Sequence, residues 1–203
     1  MNPAKIRLSQ TEMELVTNAD LILTKNAILK KVNQLLGNLQ AKQQEIVRLQ
    51  APGLAEKVSG TSPKISKGEN YKGLPYLILD YPRYFDHENI FAVRTMFWWG
   101  NFFSVTLHLS GDHKKKAEGK LIASFKTLCE KGFYCYGNED PWEHHFESEN
   151  YRLLSEMSKN DFERSVREKP FIKIANKISL LKWDDAEEIL QGYFEEIIGM
   201  MTV

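Results

Sequence analysis

Four side chains on neighbouring strand-like segments carry the most chemistry in this sequence: Asp80, Arg94, Thr106 and His108. They lie in the blocks YKGLPYLILDYPRYF and IFAVRTMFWWGNFFSVTLHLSG, which hold half of the chain's four tryptophans and most of its strand-forming residues. Successive side chains of a strand point to opposite faces, so the pairing of segments 90–99 and 102–110 decides which groups meet. A two-residue loop at Gly100-Asn101 would place Arg94 beside Val105 and Leu107. An odd-length loop with a bulge at Gly100 instead gathers Phe91, Val93, Phe97, Phe103, Val105, Leu107 and Leu109 on one face, with Thr95 the only polar member. Arg94, Met96, Trp98, Ser104, Thr106 and His108 then share the other. An unpaired guanidinium among aliphatic side chains is costly, so the odd-length loop is expected.

The same alternation sends Leu77, Leu79 and Tyr81 to the core and Tyr76, Ile78 and Asp80 to the second face. The candidate ligand-binding set is therefore Tyr76, Asp80, Arg94, Trp98, Thr106 and His108. An aspartate–arginine pair beside hydroxyls and a histidine can hold a small anion or carboxylate, or can position His108 as an acid or base near neutral pH. The competing reading is a structural ion pair with His108 filling a gap.

Other constellations are weaker. In Trp142-Glu143-His144-His145-Phe146 the adjacent histidines would point to opposite faces of a strand, so they do not chelate one metal together, and a surface or packing role is expected for both. Cys129 and Cys135 have neither zinc-ligand nor redox spacing, and read as buried or half-buried thiols. No nucleophile elbow, phosphate loop or dinucleotide fingerprint occurs. Neither a metal nor a cofactor is expected. The run Lys114-Lys115-Lys116 opens a helix, where positive charge opposes the dipole, and reads as a solvated face.

The elements that must position these groups follow from capping and periodicity. Ser9 with Glu12 forms a capping box, and a helix should begin near Gln10. A break is expected at Thr17, Asn18 and Asp20, with Asp20 capping a second helix to about Gln50. Its apolar positions Ile28, Val32, Leu35, Leu39, Ile46 and Leu49 follow a heptad with Lys42 out of character. About 30 helical residues span about 45 Å, more than a domain with a radius of gyration near 17 Å needs, so part should protrude. It either lies along the sheet and the C-terminal helix or pairs with a second copy, giving a homodimer through residues 28–49.

Residues 51–70 are rich in Gly, Pro, Ser and Lys and read as a long linker loop. Strands are expected at Tyr76–Tyr81, Ile90–Trp99 and Phe102–Ser110, then a helix from a cap at Asp112 to Lys131 stopped by Gly132. FYCYG and WEHHF read as two short strands or extended segments separated by the turn NEDP, 150–169 as mainly helical, and FIKIANKISLL as a strand. A last helix after Asp184 carries one apolar stripe through Ala186, Leu190, Phe194, Ile197 and Met201. The fold class is α+β, an antiparallel sheet with helices packed on one face and a long N-terminal helix, in a single domain over 1–203 whose α+β body is 71–203.

Of the 203 residues, 42% are hydrophobic and 11% aromatic, enough for one packed core. Lys+Arg and Asp+Glu both total 27, so no global field draws in nucleic acid. No apolar run approaches a membrane span, and a cytoplasmic location is expected.

The two strand blocks quoted above resemble proteins of an uncharacterised Bacteroidetes-type bacterial family, over about the middle fifth of the chain. The resemblance implies a bacterial cytoplasmic protein and brings no activity, cofactor or catalytic residue. The functional expectation is a binding or protein-interaction module, with a small anionic ligand and a homodimer as its partners. The alternative is a small-molecule enzyme, a hydrolase or transferase, using Asp80, Arg94 and His108.

Overall fold

The computed structural model describes residues 6–50 and 53–202. Helix α1 (Gln10–Thr17) opens on the expected box, with Ser9 and Glu12 each receiving the other's backbone N–H. The break falls where poor helix formers cluster. Asn18, not Asp20, caps the following helix, because its Oδ1 accepts from the backbone N–H of Asp20 and Leu21. Helix α2 (Ala19–Gln50) buries Val32, Leu36, Leu39, Gln43 and Val47. That stripe drifts off the heptad. A helix lying on a sheet needs the 3.6-residue period rather than 3.5, so Leu36 and Val47 turn inward while Leu49 stays 65% exposed. Lys42, off the buried stripe, pairs with Glu187 at 2.6 Å. The apolar side of residues 28–47 is thus covered by the chain's own body.

Residues 53–70 are not a linker. They hold a short helix α3 (Glu56–Ser59) and an edge strand β1 (Lys64–Tyr71). The strand escaped detection because an edge strand pairs on one side only and exposes polar residues from both faces, which erases the period-two signal. Gly68 lies under the ring of Tyr76, where a Cβ would come within 2.3 Å of the ring. Of the next strands, β2 (Leu74–Phe85) runs further than expected, β3 (Ile90–Trp98) ends one residue early, and β4 (Phe102–Ser110) has the expected bounds.

The hairpin register is the one that separates arginine from aliphatics. Val93 faces Leu107, Arg94 faces Thr106, and Trp98 faces Phe102. Three residues, Trp99 to Asn101, close the loop without a shift in the ladder, and Gly100 supplies the positive φ of +70° that the turn requires. The bulge lies elsewhere, on β2 between Asp80 and Arg83.

Helix α4 (Gly111–Ala123) and helix α5 (Phe125–Glu130) replace the single helix expected there, broken at Ser124. Asn89 caps α4 from outside by accepting from the Asp112 N–H, so Asp112 is not the cap. Lys114 is not solvated: it is buried and bonds Glu118 and the carbonyl of Arg167. Strands β5 (Tyr134–Tyr136) and β6 (Tyr151–Leu153), helix α6 (Lys159–Glu168), strand β7 (Phe171–Ser179) and helix α7 (Ala186–Thr202) complete the chain.

The seven strands form one antiparallel sheet in the order β1-β2-β3-β4-β7-β5-β6. Helices α2, α4 and α7 pack on one face, making an α+β fold. The main core lies between them, from Leu79, Val93, Phe97, Phe103, Val105 and Leu107 to Leu39, Leu121, Leu190 and Phe194. Thr95, the polar member of that face, accepts a hydrogen bond from buried Gln43 at 3.3 Å. Among the described residues, no helix is long and apolar enough to cross a membrane.

Candidate functional site

The opposite face of the sheet is covered by the loop from Gly137 to Asn150, which has no regular secondary structure. Loops of this length in a compact domain are uncommon, and often serve as lids or binding segments. This strap is tied down at several points. Gly137 N–H donates to the Asn150 carbonyl and Asn150 Nδ2 to the His145 carbonyl. Tyr71 Oη donates to Glu143 at 2.7 Å and accepts from the backbone N–H of His144 and His145. Burial pushes the Tyr71 phenol up to about 12, so it stays a donor. Phe146 stacks on Tyr151 with ring centroids 4.3 Å apart. WEHHF is therefore not a strand, because its backbone bonds go to side chains rather than to a neighbouring strand.

Beneath the strap the sheet presents its polar residues. Asp80 and Arg94 face each other across β2 and β3, and their side chains form a two-point ion pair at 2.8 and 2.9 Å. Arg94 Nη1 lies 3.1 Å from His144 Nε2. A guanidinium can only donate, so His144 must accept there and is the neutral tautomer protonated on Nδ1. Burial first, then Arg94 and Lys173, hold it well below the usual histidine range.

Lys173 stands opposite His108 across β4 and β7. It is 1% exposed, and its Nζ donates to the carbonyls of Pro141 and Glu143 on the strap at 3.1 and 2.6 Å. The Nζ also lies 3.8 Å from the centroid of the Tyr136 ring. Among the described residues, no carboxylate comes within ion-pair distance of it. Burial, and next the Arg94 charge, bring Lys173 down to about 7. The same burial, with Lys173 and then Arg94, holds His108 near 3. His108 Nε2 is buried and has no hydrogen-bond partner. It borders a cavity of about 10 Å³ lined by Arg94, Thr106, His108, Pro141, His144 and Lys173 together with Phe85 and Ala92. That is room for a single water-sized group.

Four of the six expected residues are thus brought together: Asp80, Arg94, Thr106 and His108. Tyr76 and Trp98 are not. They belong to an aromatic cluster with Tyr71, Phe102 and Phe146, where the Trp98 indole donates to the Tyr71 carbonyl at 3.2 Å. Alternation fixes the face but not the position along it, and four residues of strand separate Arg94 from Trp98 by about 13 Å. His144 and Lys173 were missed. Alternation along 171–179 sets Lys173 on the face away from Ile172 and Ile174, but only the sheet order shows that this face meets His108. His144 comes from an irregular loop that leaves no periodic trace.

Among the described residues, no group of three His, Cys, Asp or Glu side chains could hold a metal ion. No family model, curated protein or solved structure matches this chain.

Proposed function

We propose that the protein is a binding module that takes a small anion between its sheet and the strap 137–150. The observation that carries this reading is a buried lysine with no carboxylate within ion-pair distance, beside an orphaned imidazole nitrogen on a shared cavity. Asp80 and Arg94 pair with each other, and Asp140 and Glu143 act on Lys173 only from a distance. A buried charge is stable to the extent that a close partner meets it, and the lowered titration of Lys173 reflects burial and Arg94 outweighing those two carboxylates. An anion seated against Lys173, Arg94 and the Nε2–H of His108 would supply both the missing charge and the missing hydrogen bond.

With the strap closed, the cavity suits an ion no larger than a small halide; formate or a larger carboxylate requires Pro141 and His144 to lift. Thr106, paired with Arg94, adds a hydroxyl at the cavity wall. The enzymatic alternative draws less support. An imidazole held near 3 is neutral at pH 7 and keeps only its weakly acidic ring N–H, which argues against His108 as a general acid, and the group poised near neutrality is Lys173 instead.

Thermal unfolding at pH 7 and matched ionic strength tests the proposal with chloride, formate, acetate and inorganic phosphate. At least one should raise Tm along a saturating curve, and Lys173→Met should abolish that rise. A response no larger than the common salt effect for all four ions, or an unchanged response in Lys173→Met, overturns it.

A further inference from the structure

We infer that helix α1 of one copy of this chain seats in the groove between α2 and β1 of a second copy, so that two chains exchange their N-terminal helices. Helix α1 has a complete capping box, yet none of its eight residues is buried. A helix this short is marginal without tertiary contacts, so one that buries nothing lacks the packing that would hold it. The apolar surface continues into α2. Ile6, Leu8, Met13, Leu15, Val16, Leu21, Ile22 and Leu23 are between 48% and 97% exposed. At roughly 100 Å² each, these eight side chains expose roughly 800 Å² per chain; Met13 and Val16 share one side of α1 while Leu15 and the consecutive Leu21, Ile22 and Leu23 point other ways, so a single groove covers part of that area.

The occupant is identified by charge as well as by area. On α1, Met13 and Val16 lie on one side, flanked by Glu12 and Glu14, and the helix carries no basic residue. The groove is about 400 Å³ and is lined by Leu29, Ile65 and Leu77 together with the neutral polar Asn26, Asn33 and Ser66, by Lys30 and Lys67, and by Glu69, which Lys25 holds at 2.7 Å. Acidic residues beside an apolar ridge thus face basic residues beside a partly apolar floor, and both halves belong to the same sequence. Reciprocal seating makes a closed two-fold exchange, and the break at Asn18 sets the angle at which α1 leaves α2. This interface differs from pairing through residues 28–49, whose apolar side is already covered. It also stands independently of the anion site.

Sedimentation equilibrium of the full chain, from about 1 to 100 µM, tests it. A dimer is expected, and Met13→Glu/Val16→Glu should make it monomeric with a Tm equal to that of the wild-type chain diluted to its monomer, since α1 buries nothing within its own chain. Lys30→Glu and Glu14→Lys should each weaken the dimer at least tenfold, and together should restore it to within about threefold. A monomer across the range overturns the inference. So does a dimer that persists in Met13→Glu/Val16→Glu, or a double charge swap no stronger than its single members.

Discussion

On the helix side of the sheet, Val93, Phe97, Phe103, Val105 and Leu107 meet α2, α4 and α7 through apolar contact, and the one hydroxyl among them finds Gln43. On the strap side, Asp80, His108 and Lys173 are buried nearly as deeply and Arg94 is half-buried, under a loop without secondary structure. The first face is stabilised by area removed from water, which has no direction and tolerates no gaps. The second is stabilised only to the extent that each polar group finds a partner; His108 Nε2 and Asn150 Oδ1 have none, and Lys173 has carbonyls but no close carboxylate. Two sides of one sheet therefore place different demands on sequence. A filled face is a scaffold; a face with unmet polar demand is where a ligand gains most.

Cavity-forming substitution on the helix side should give the largest effect. Phe103→Ala, at a fully buried position, should lower stability by about 3–5 kcal/mol in urea unfolding while leaving any anion response in place. A loss of the response in a variant that still folds would show that the two faces are coupled. Asp80→Asn should come next, at about 2–3 kcal/mol, because it leaves the guanidinium of Arg94 buried with a neutral partner. It should also tighten anion binding, since one competing negative charge is gone.

The register that joins Arg94 to His108 was legible because one charged residue among aliphatics makes the wrong pairing expensive. Strand β7 was legible from its Ile and Phe content, and α7 from its stripe. What stayed hidden shares a cause: β1, His144 and the meeting of Lys173 with His108 all depend on neighbours remote in sequence. An edge strand looks like a loop until its partner is known. A strap looks like a turn-rich connection until the surface beneath it is known.

The smallest effect sharpens the comparison through pH. The folded-state value of Lys173 lies near 7, below its ordinary 10.5, so between those limits the unfolded chain holds the extra proton and stability rises with pH. The slope should reach about 1.4 kcal/mol per pH unit at most, read between pH 7 and 8, below the range where the buried Cys135 thiol, and above it the buried tyrosines, act in the opposite sense. Lys173→Met should flatten it, and a bound anion should flatten it by keeping the lysine charged. An identical slope in Lys173→Met would assign the dependence to other groups.

The turn from Trp99 to Asn101 has an odd number of residues. Removing or adding a single one would rotate β4 by half a turn relative to β3, exposing Phe103 and Leu107 to the strap and burying His108 beneath α4 and α7. Changes by two would leave the orientation intact. Parity, more than length or composition, is thus the property of this hairpin that descent must preserve, and insertions or deletions there should survive only in even steps.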